Sequence, residues 1–313
     1  MRLSIAIQMD PIEAIDIETD STFRVAREIQ SRGHELFYYL PQHLSLVAGE
    51  IRTRGHPLTV RQERGNHFTL GNREIRHLDD FDVVFLRQDP PFDMAYITTT
   101  HLLERLRGKP LVVNDPFWVR NHPEKILALD FPDLIPETAI SRDMELLRGF
   151  RSQHGDVILK PIYGNGGAGV FRVRQDDPNF NALCEMFLQS SREPLIIQKF
   201  LPEVGTGDKR VLLVNGKPVG AINRVPAKGE ARSNLHVGGR AEPVRLTQRD
   251  HEICARIGPL LARHGQIFVG IDVIGGMLTE INVTSPTGIN ELERFEGINT
   301  AGLIMDSIEA ECG

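Results

Sequence analysis

Ile271-Asp272-Val273-Ile274-Gly275-Gly276-Met277-Leu278-Thr279-Glu280-Ile281-Asn282 holds two short β-like runs around a glycine pair, with three carboxylate or amide side chains within eleven residues. Glu280 and Asn282 are two apart, so a strand points both to one face. A hard divalent cation such as Mg²⁺ takes carboxylate and amide oxygens and leaves its other positions to water and substrate phosphate. The stretch therefore reads as the floor of a metal–nucleotide site, or as a half-buried hairpin that shows polar side chains to water. The first reading carries a geometric condition. A flush two-residue turn at Gly275-Gly276 sets Asp272 opposite Thr279, facing away from Glu280. A three-residue turn, Gly275 to Met277, sets Asp272 across from Glu280, and that is the turn the site requires.

The chain around this stretch has 313 residues, room for two compact domains or one with a large insertion. It is 41% apolar and 25% charged, with a formal net charge of −6, so no broad basic surface for nucleic acid is implied. Cys184, Cys254 and Cys312 match no zinc spacing and read as reduced thiols. Leu3–Met9 is too short for a secretory apolar region, and Asp10-Pro11 ends it. No stretch approaches the roughly 20 apolar residues of a membrane helix. The expectation is a cytoplasmic globular enzyme or ligand-binding protein, without nucleic-acid or membrane partners.

The first 120 residues alternate strand and helix signals. Leu3–Met9, Glu35–Leu40, Val83–Arg87 and Leu111–Asn114 read as strands, with helices over Ser21–Arg32 and Tyr96–Arg107. Asp20 or Ser21 can cap the first helix, and Gly33 stops it. This βαβ rhythm predicts an α/β, Rossmann-like layer with a mostly parallel sheet, and residues 46–80 read as a hairpin excursion from it. The first strand leads into Met9-Asp10-Pro11-Ile12-Glu13-Ala14-Ile15-Asp16 rather than a glycine-rich loop. Carboxylates there repel pyrophosphate, so this layer suits an organic substrate with an amine better than a nucleotide. A second unit opens at His122-Pro123-Glu124-Lys125. It carries strand signals at Val157–Pro161, Val170–Arg174, Leu195–Phe200, Val211–Val214 and Val219–Arg224, and helix signals at Pro178–Ser190 and Gln248–His264. Residues 225–239, rich in Gly, Ser and Asn, have the length of a lid.

Gly164-Asn165-Gly166-Gly167-Ala168-Gly169 matches G-x-G-x-x-G, yet Val170-Phe171-Arg172-Val173-Arg174 after it alternates like a strand, and no Gly-Lys-Ser/Thr completes a Walker loop. A strand–glycine loop–strand can lay backbone N–H groups over phosphates, or it can be a plain surface turn. Lys160 ends the apolar strand just before it. Gln198-Lys199-Phe200-Leu201 ends another strand and can offer backbone hydrogen bonds to an adenine edge. Asp208 suits a ribose hydroxyl and Arg210 an anion. Arg224, at a strand end beside the long loop, suits a carboxylate or phosphate, although either arginine alone can equally be a solvated strand end.

Lys125, Lys160-Pro161 with the glycine loop, Gln198–Leu201, Asp208-Lys209-Arg210 and Asp272…Glu280-Ile281-Asn282 together resemble the ATP-grasp ligases. The resemblance narrows to the bacterial glutathione synthetase family over essentially the whole chain. It rests on Met9–Ile12, Asp89-Pro90-Pro91-Phe92-Asp93, Pro136-Glu137-Thr138, Asn234-Leu235…Gly238-Gly239 and, above all, Leu278 through Gly288. It implies a Rossmann-like (pre-ATP-grasp) N-terminal domain, residues 1–121, before an ATP-grasp domain, 122–313. The latter divides into two α+β subdomains, 122–199 with the glycine loop and 200–313 with the lid and metal site. It implies ligation of γ-glutamylcysteine to glycine through an acyl phosphate in a homotetramer, with ATP and Mg²⁺ (or Mn²⁺). Asp272, Glu280 and Asn282 would hold two metal ions, and Lys125, Lys160 and the glycine loop the phosphates. Arg210 would face the charge of the tetrahedral intermediate. Arg87, Arg224 and Ser285-Pro286-Thr287-Gly288 would touch the dipeptide. Three positions depart from the family pattern: Gln88 where lysine is expected, Ser233 where the lid has glycine, and Asn290 where a basic residue is expected. A D-alanine–D-alanine-type ligase on the same fold, and a non-catalytic nucleotide-binding regulator, are the competing readings.

Overall fold

The structure, a computed structural model, describes residues 1–106, 108, 110–227, 232–233 and 238–313. The N-terminal part runs β1 (Ser4–Gln8), α1 (Ser21–Ser31), β2 (Glu35–Tyr39), β3 (Leu44–Val47), β4 (Glu50–Val60), β5 (Phe68–Leu70), β6 (Glu74–His77), β7 (Val83–Leu86), α2 (Met94–Leu103) and β8 (Leu111–Val113). β2, β1, β7 and β8 pair in that order, all parallel, as the βαβ rhythm predicts. Asp20 caps α1 by accepting from the Phe23 amide at 2.7 Å, and Gly33, at φ 81°, turns the chain out of it. The polar stretch 46–80 is indeed an antiparallel excursion, in which β4 pairs with β2, β3, β5 and β6. α2 starts earlier than the apolar pattern suggested, because Asp93 accepts from the amides of both Ala95 and Tyr96 at 2.9 Å. Its expected last residue, Arg107, lies outside the described residues.

α3 (Pro116–Asn121) and α4 (Glu124–Leu127) lead into β9 (Thr138–Ser141), α5 (Met144–His154), β10 (Val157–Pro161), β11 (Phe171–Val173), α6 (Phe180–Ser190) and β12 (Leu195–Lys199). The antiparallel sheet β11-β10-β12-β9 and its two helices enclose a core of their own, built on Leu147, Leu159, Phe180, Cys184 and Ile197. The strand–glycine loop–strand is present: β10 and β11 pair antiparallel across residues 162–170.

The rest comprises β13 (Asp208–Val214), β14 (Lys217–Val225), β15 (Arg240–Pro243), α7 (Gln248–Arg263), β16 (Phe268–Ile274), β17 (Met277–Asn282), α8 (Ile289–Glu296) and α9 (Thr300–Cys312). Its antiparallel sheet, β15-β14-β13-β16-β17, is buried on both faces. Val211 and Leu213 of β13 face the core under α7, while Leu212 and Val214 join the core of the N-terminal part. That second core is continuous from Ile5, Phe23 and Ile29 to Ile304, Met305 and Ile308, so α9 lies on α1. Ion pairs tie α1 to both C-terminal helices, Arg24 to Glu293 of α8 at 2.6 Å and Arg32 to Asp306 of α9 at 2.7 Å. Asn114 pins β8 to the same sheet, donating to the carbonyls of Phe268 (2.7 Å) and Val283 (3.1 Å) and accepting from the Phe268 amide.

The β16–β17 hairpin corrects one expectation. Ile274 pairs with Met277, so the turn has two residues, Gly275 and Gly276, both at positive φ (57° and 78°) as a mirror-image hairpin turn demands. The odd residue sits in β17 instead. Val273 pairs with Leu278 and Asp272 with Glu280, leaving Thr279 as a bulge whose hydroxyl donates to the Asp272 carbonyl at 3.1 Å. Asp272 does stand across from Glu280, by a bulge rather than by a longer turn.

Candidate active site

The floor is assembled by strand register. Asp272 lies between Glu280 on one neighbouring strand and Arg210 on the other, and Arg224 is opposite Asp208 one strand further out. Arg210 binds Asp272 with two prongs, Nε to Oδ1 at 2.5 Å and Nη2 to Oδ2 at 3.1 Å. Arg224 bridges Asp208 (2.6 Å) and Asp272 (2.9 Å). All four side chains are buried. The two guanidinium groups hold the Asp272 carboxyl well below its usual range, against the cost of burial. Asp208 moves the opposite way: burial, then the charge of Asp272, raise it more than Arg224 lowers it.

Opposite this floor stands the phosphate side. Lys160, buried at the end of β10, brings Nζ to 3.8 Å from Glu280, and burial lowers its pKa. Lys125 donates to the carbonyls of Ile162 and Gly164, at the base of the glycine loop. Gly166 and Gly167 take positive φ (59° and 80°), which lets successive tight turns fold the loop back on itself. Arg232, from the expected lid, reaches the Gly167 carbonyl at 3.5 Å, and Ser233 donates to Asp208 at 2.7 Å. The remaining lid residues 228–231 and 234–237, including Asn234 and Leu235, lie outside the described residues.

Between the two sides is a cavity of about 830 Å³. Its wall brings together Lys125, Lys160, Gly164, Gly166, Gly167, Gln198, Lys199, Phe200, Leu201, Asp208, Arg210, Arg224, Asp272, Glu280, Asn282 and the run Ser285–Gly288. Three expected residues are not on it. Ala168 is within the loop fold, and Gly169 packs on Pro161 and Phe187. Arg87 lies behind the wall, donating to Thr22 at 2.9 Å and to the Pro286 carbonyl at 3.0 Å, because the end of β7 points toward the start of α1. Its guanidinium holds the 285–288 run in place. Gln88 accepts from Gln8 at 3.0 Å, and Asn290 donates to the Asp20 carbonyl at 3.1 Å.

Three buried polar atoms on the wall have no hydrogen-bond partner among the described residues: Asp208 Oδ1, Arg224 Nε and Asn282 Nδ2. Buried polar groups are nearly always satisfied, so such a cluster in one cavity points to a polar ligand. Two carboxylates and an amide whose nitrogen is unbonded also fit a hard divalent cation; Glu280 and Asn282 have oxygens to give, while Asp272 shares its own with two arginines. Among the wall residues not read from the sequence are two carboxylates. Glu124, next to Lys125, is pushed up to about 8 by burial and then by Glu280. Glu291 is buried in the first turn of α8, three residues after Gly288, a helical spacing that could have flagged it.

Known proteins resemble this chain. Residues 3–120 match the family model for the prokaryotic glutathione synthetase N-terminal domain, and 124–297 match that for the prokaryotic glutathione synthetase ATP-grasp domain. Glutathione synthetase of Brucella melitensis is 57% identical over 310 residues, 99% of each chain. That of Agrobacterium fabrum is 57% identical over 98% of this chain and 96% of its own. Among solved structures, D-cycloserine synthetase DcsG superposes with a TM-score of 0.70 over 99% of this chain and 100% of that one, at 13% identity. ATP-grasp ligase PsnB superposes with 0.64 at 18% identity, covering 99% of both chains. At those identities they show the fold alone.

Proposed function

The chain belongs to the prokaryotic glutathione synthetase family, ATP-dependent ligases of ATP-grasp fold, and we propose how its own side chains divide the joining of γ-glutamylcysteine to glycine. Residues 1–121 form the substrate-binding domain and 122–313 the ATP-grasp domain, split at 199/200. ATP lies in the cavity, its adenine against Gln198–Leu201 and a ribose hydroxyl on the unpartnered Asp208 Oδ1. Lys125 and Lys160 neutralise phosphate oxygens beneath the glycine loop. Mg²⁺, or Mn²⁺ in its place, would be held by Asp272, Glu280 and Asn282 and would offset charge on the transferred phosphoryl group.

The cysteinyl carboxylate attacks the γ-phosphorus; an O–P bond forms, the β–γ bridge breaks and ADP leaves. Glycine's amine then attacks the acyl carbon, a C–N bond forms and phosphate departs. Arg210 faces the oxyanion of that second step, and Arg224 holds a substrate carboxylate. No protein nucleophile is needed. Residues 225–239 exclude water, which would hydrolyse the acyl phosphate. The three unpaired cysteines suit the cytoplasm, and a homotetramer is the assembly we expect.

The carrying observation is the orphaned trio Asp208 Oδ1, Arg224 Nε and Asn282 Nδ2 around the opposed Asp272 and Glu280. The test is direct. ATP, Mg²⁺, γ-glutamylcysteine and glycine should yield glutathione by mass, and omission of any one should stop it. Product from D-alanine at a comparable rate would favour the competing ligase reading, and no product from either mixture would remove both.

A further inference from the structure

One buried carboxylate on the cavity wall has no task in that scheme. Glu291 stands in the first turn of α8, which packs on β14 and β15. It lines the same cavity as Arg210, Arg224 and Glu280. Glu291 is 6% exposed. Among the described residues no side chain hydrogen-bonds or ion-pairs with its carboxylate, which has its own backbone amide as partner and Arg294 acting on it only through its field. Elsewhere on the wall Asp20 caps α1, Asp10 accepts from the Asp89 amide at 2.9 Å, and Glu124 lies on the phosphate side in the fields of Glu280 and Lys125. An anion buried without a cation is costly, and burial accordingly raises the Glu291 pKa.

The reacting end is otherwise cationic, with Lys160, Arg210 and Arg224 suited to phosphate and carboxylate. The second substrate brings the opposite need. A free amino acid arrives at neutral pH as an ammonium ion, which cannot attack a carbonyl until it loses a proton. We infer that Glu291 seats the amino group of the incoming glycine and takes its proton before attack. The ammonium gives one proton to the Glu291 carboxylate, and the freed lone pair forms the C–N bond. As the C–O bond to phosphate breaks, the nitrogen's second proton passes to the departing phosphate. This inference rests on the ligase reading above.

The test uses Glu291→Gln, which keeps shape and loses the base, and Glu291→Asp, which keeps the base and draws it back by one methylene. With glycine, E291Q should lose turnover by about a hundredfold, within the range of a lost general base, and show a raised KM for glycine. Its KM for γ-glutamylcysteine should stay within about twofold of the parent, and E291D should fall between the two. Hydroxylamine, neutral near pH 7.5, needs no proton removed. Trapping of the acyl phosphate as hydroxamate should therefore persist in E291Q within about twofold. Hydroxamate and glutathione falling together, an unchanged rate with glycine, or a raised KM for the dipeptide in place of glycine would each overturn the assignment. If the parent enzyme makes neither glutathione nor hydroxamate, the ligase reading fails first.

Discussion

Glu124 is neutral over most of the physiological range, pushed from its ordinary 4.5 up to about 8 by burial and then by Glu280. A folded pKa above the unfolded one means a contribution to stability that is complete below about pH 4.5 and lost as pH rises toward 8. In metal-free buffer, Glu124→Gln should therefore stabilise the fold by about 1–3 kcal/mol at pH 8.5 and by little at pH 5. Urea unfolding at the two pH values checks this, and a gap that does not widen with pH refutes it. Glu280→Ala should cut turnover by about a hundredfold at ordinary metal concentrations, since a bound cation supplies several kcal/mol of charge stabilisation. Circular dichroism should be unchanged, and turnover near that of the parent would end its role as a ligand. Much of the site was legible because Glu280 and Asn282 share a strand face and because lysine, arginine and glycine stand at strand ends. The position of Arg87 behind the wall was not legible, since its direction depends on where α1 begins. Glu124 and Glu291 were invisible as charges because their burial is created by segments far away in sequence.

Among the elements, the β16–β17 hairpin makes the sharpest demand. Gly275 takes φ 57°, and a Cβ there would come within 2.9 Å of the Glu203 side chain. Gly275→Ala should cost about 1–2 kcal/mol from backbone strain alone, read as a lower denaturation midpoint. A bulge at Thr279 could not be read in advance, because parity asks for one extra residue without saying on which side of the turn it falls. The parallel strands, α1, α6 and α7 were legible from period and caps. β9, α5, α8 and α9 were not: β9 is four residues long, and α9 buries Ala301, Gly302, Ile304, Met305 and Ile308 without a clean polar face. Shortening residues 225–239 should raise glycine-independent ATP hydrolysis or depress ligation, measured as the ratio of ADP to glutathione. An unchanged ratio and ligation rate would remove the lid assignment.

On the scale of the whole molecule, the proposed homotetramer should sediment at about four times the 35.2 kDa of the chain, and a single species at monomer mass would exclude it. Within the chain, the unit around β9–β12 closes its own core from neighbouring segments, whereas α1 waits for α9. Phe23, Val25 and Ile29 share one core with Ala301, Ile304 and Met305, and Arg24 and Arg32 find partners at Glu293 and Asp306. That separation has a consequence on the ribosome. At about 5–20 residues per second, the side of α1 that α9 covers stays open for roughly 15–55 s after it emerges. The first helix synthesised is thus the last to be fully buried, and it is there that a growing chain of this sequence needs shelter.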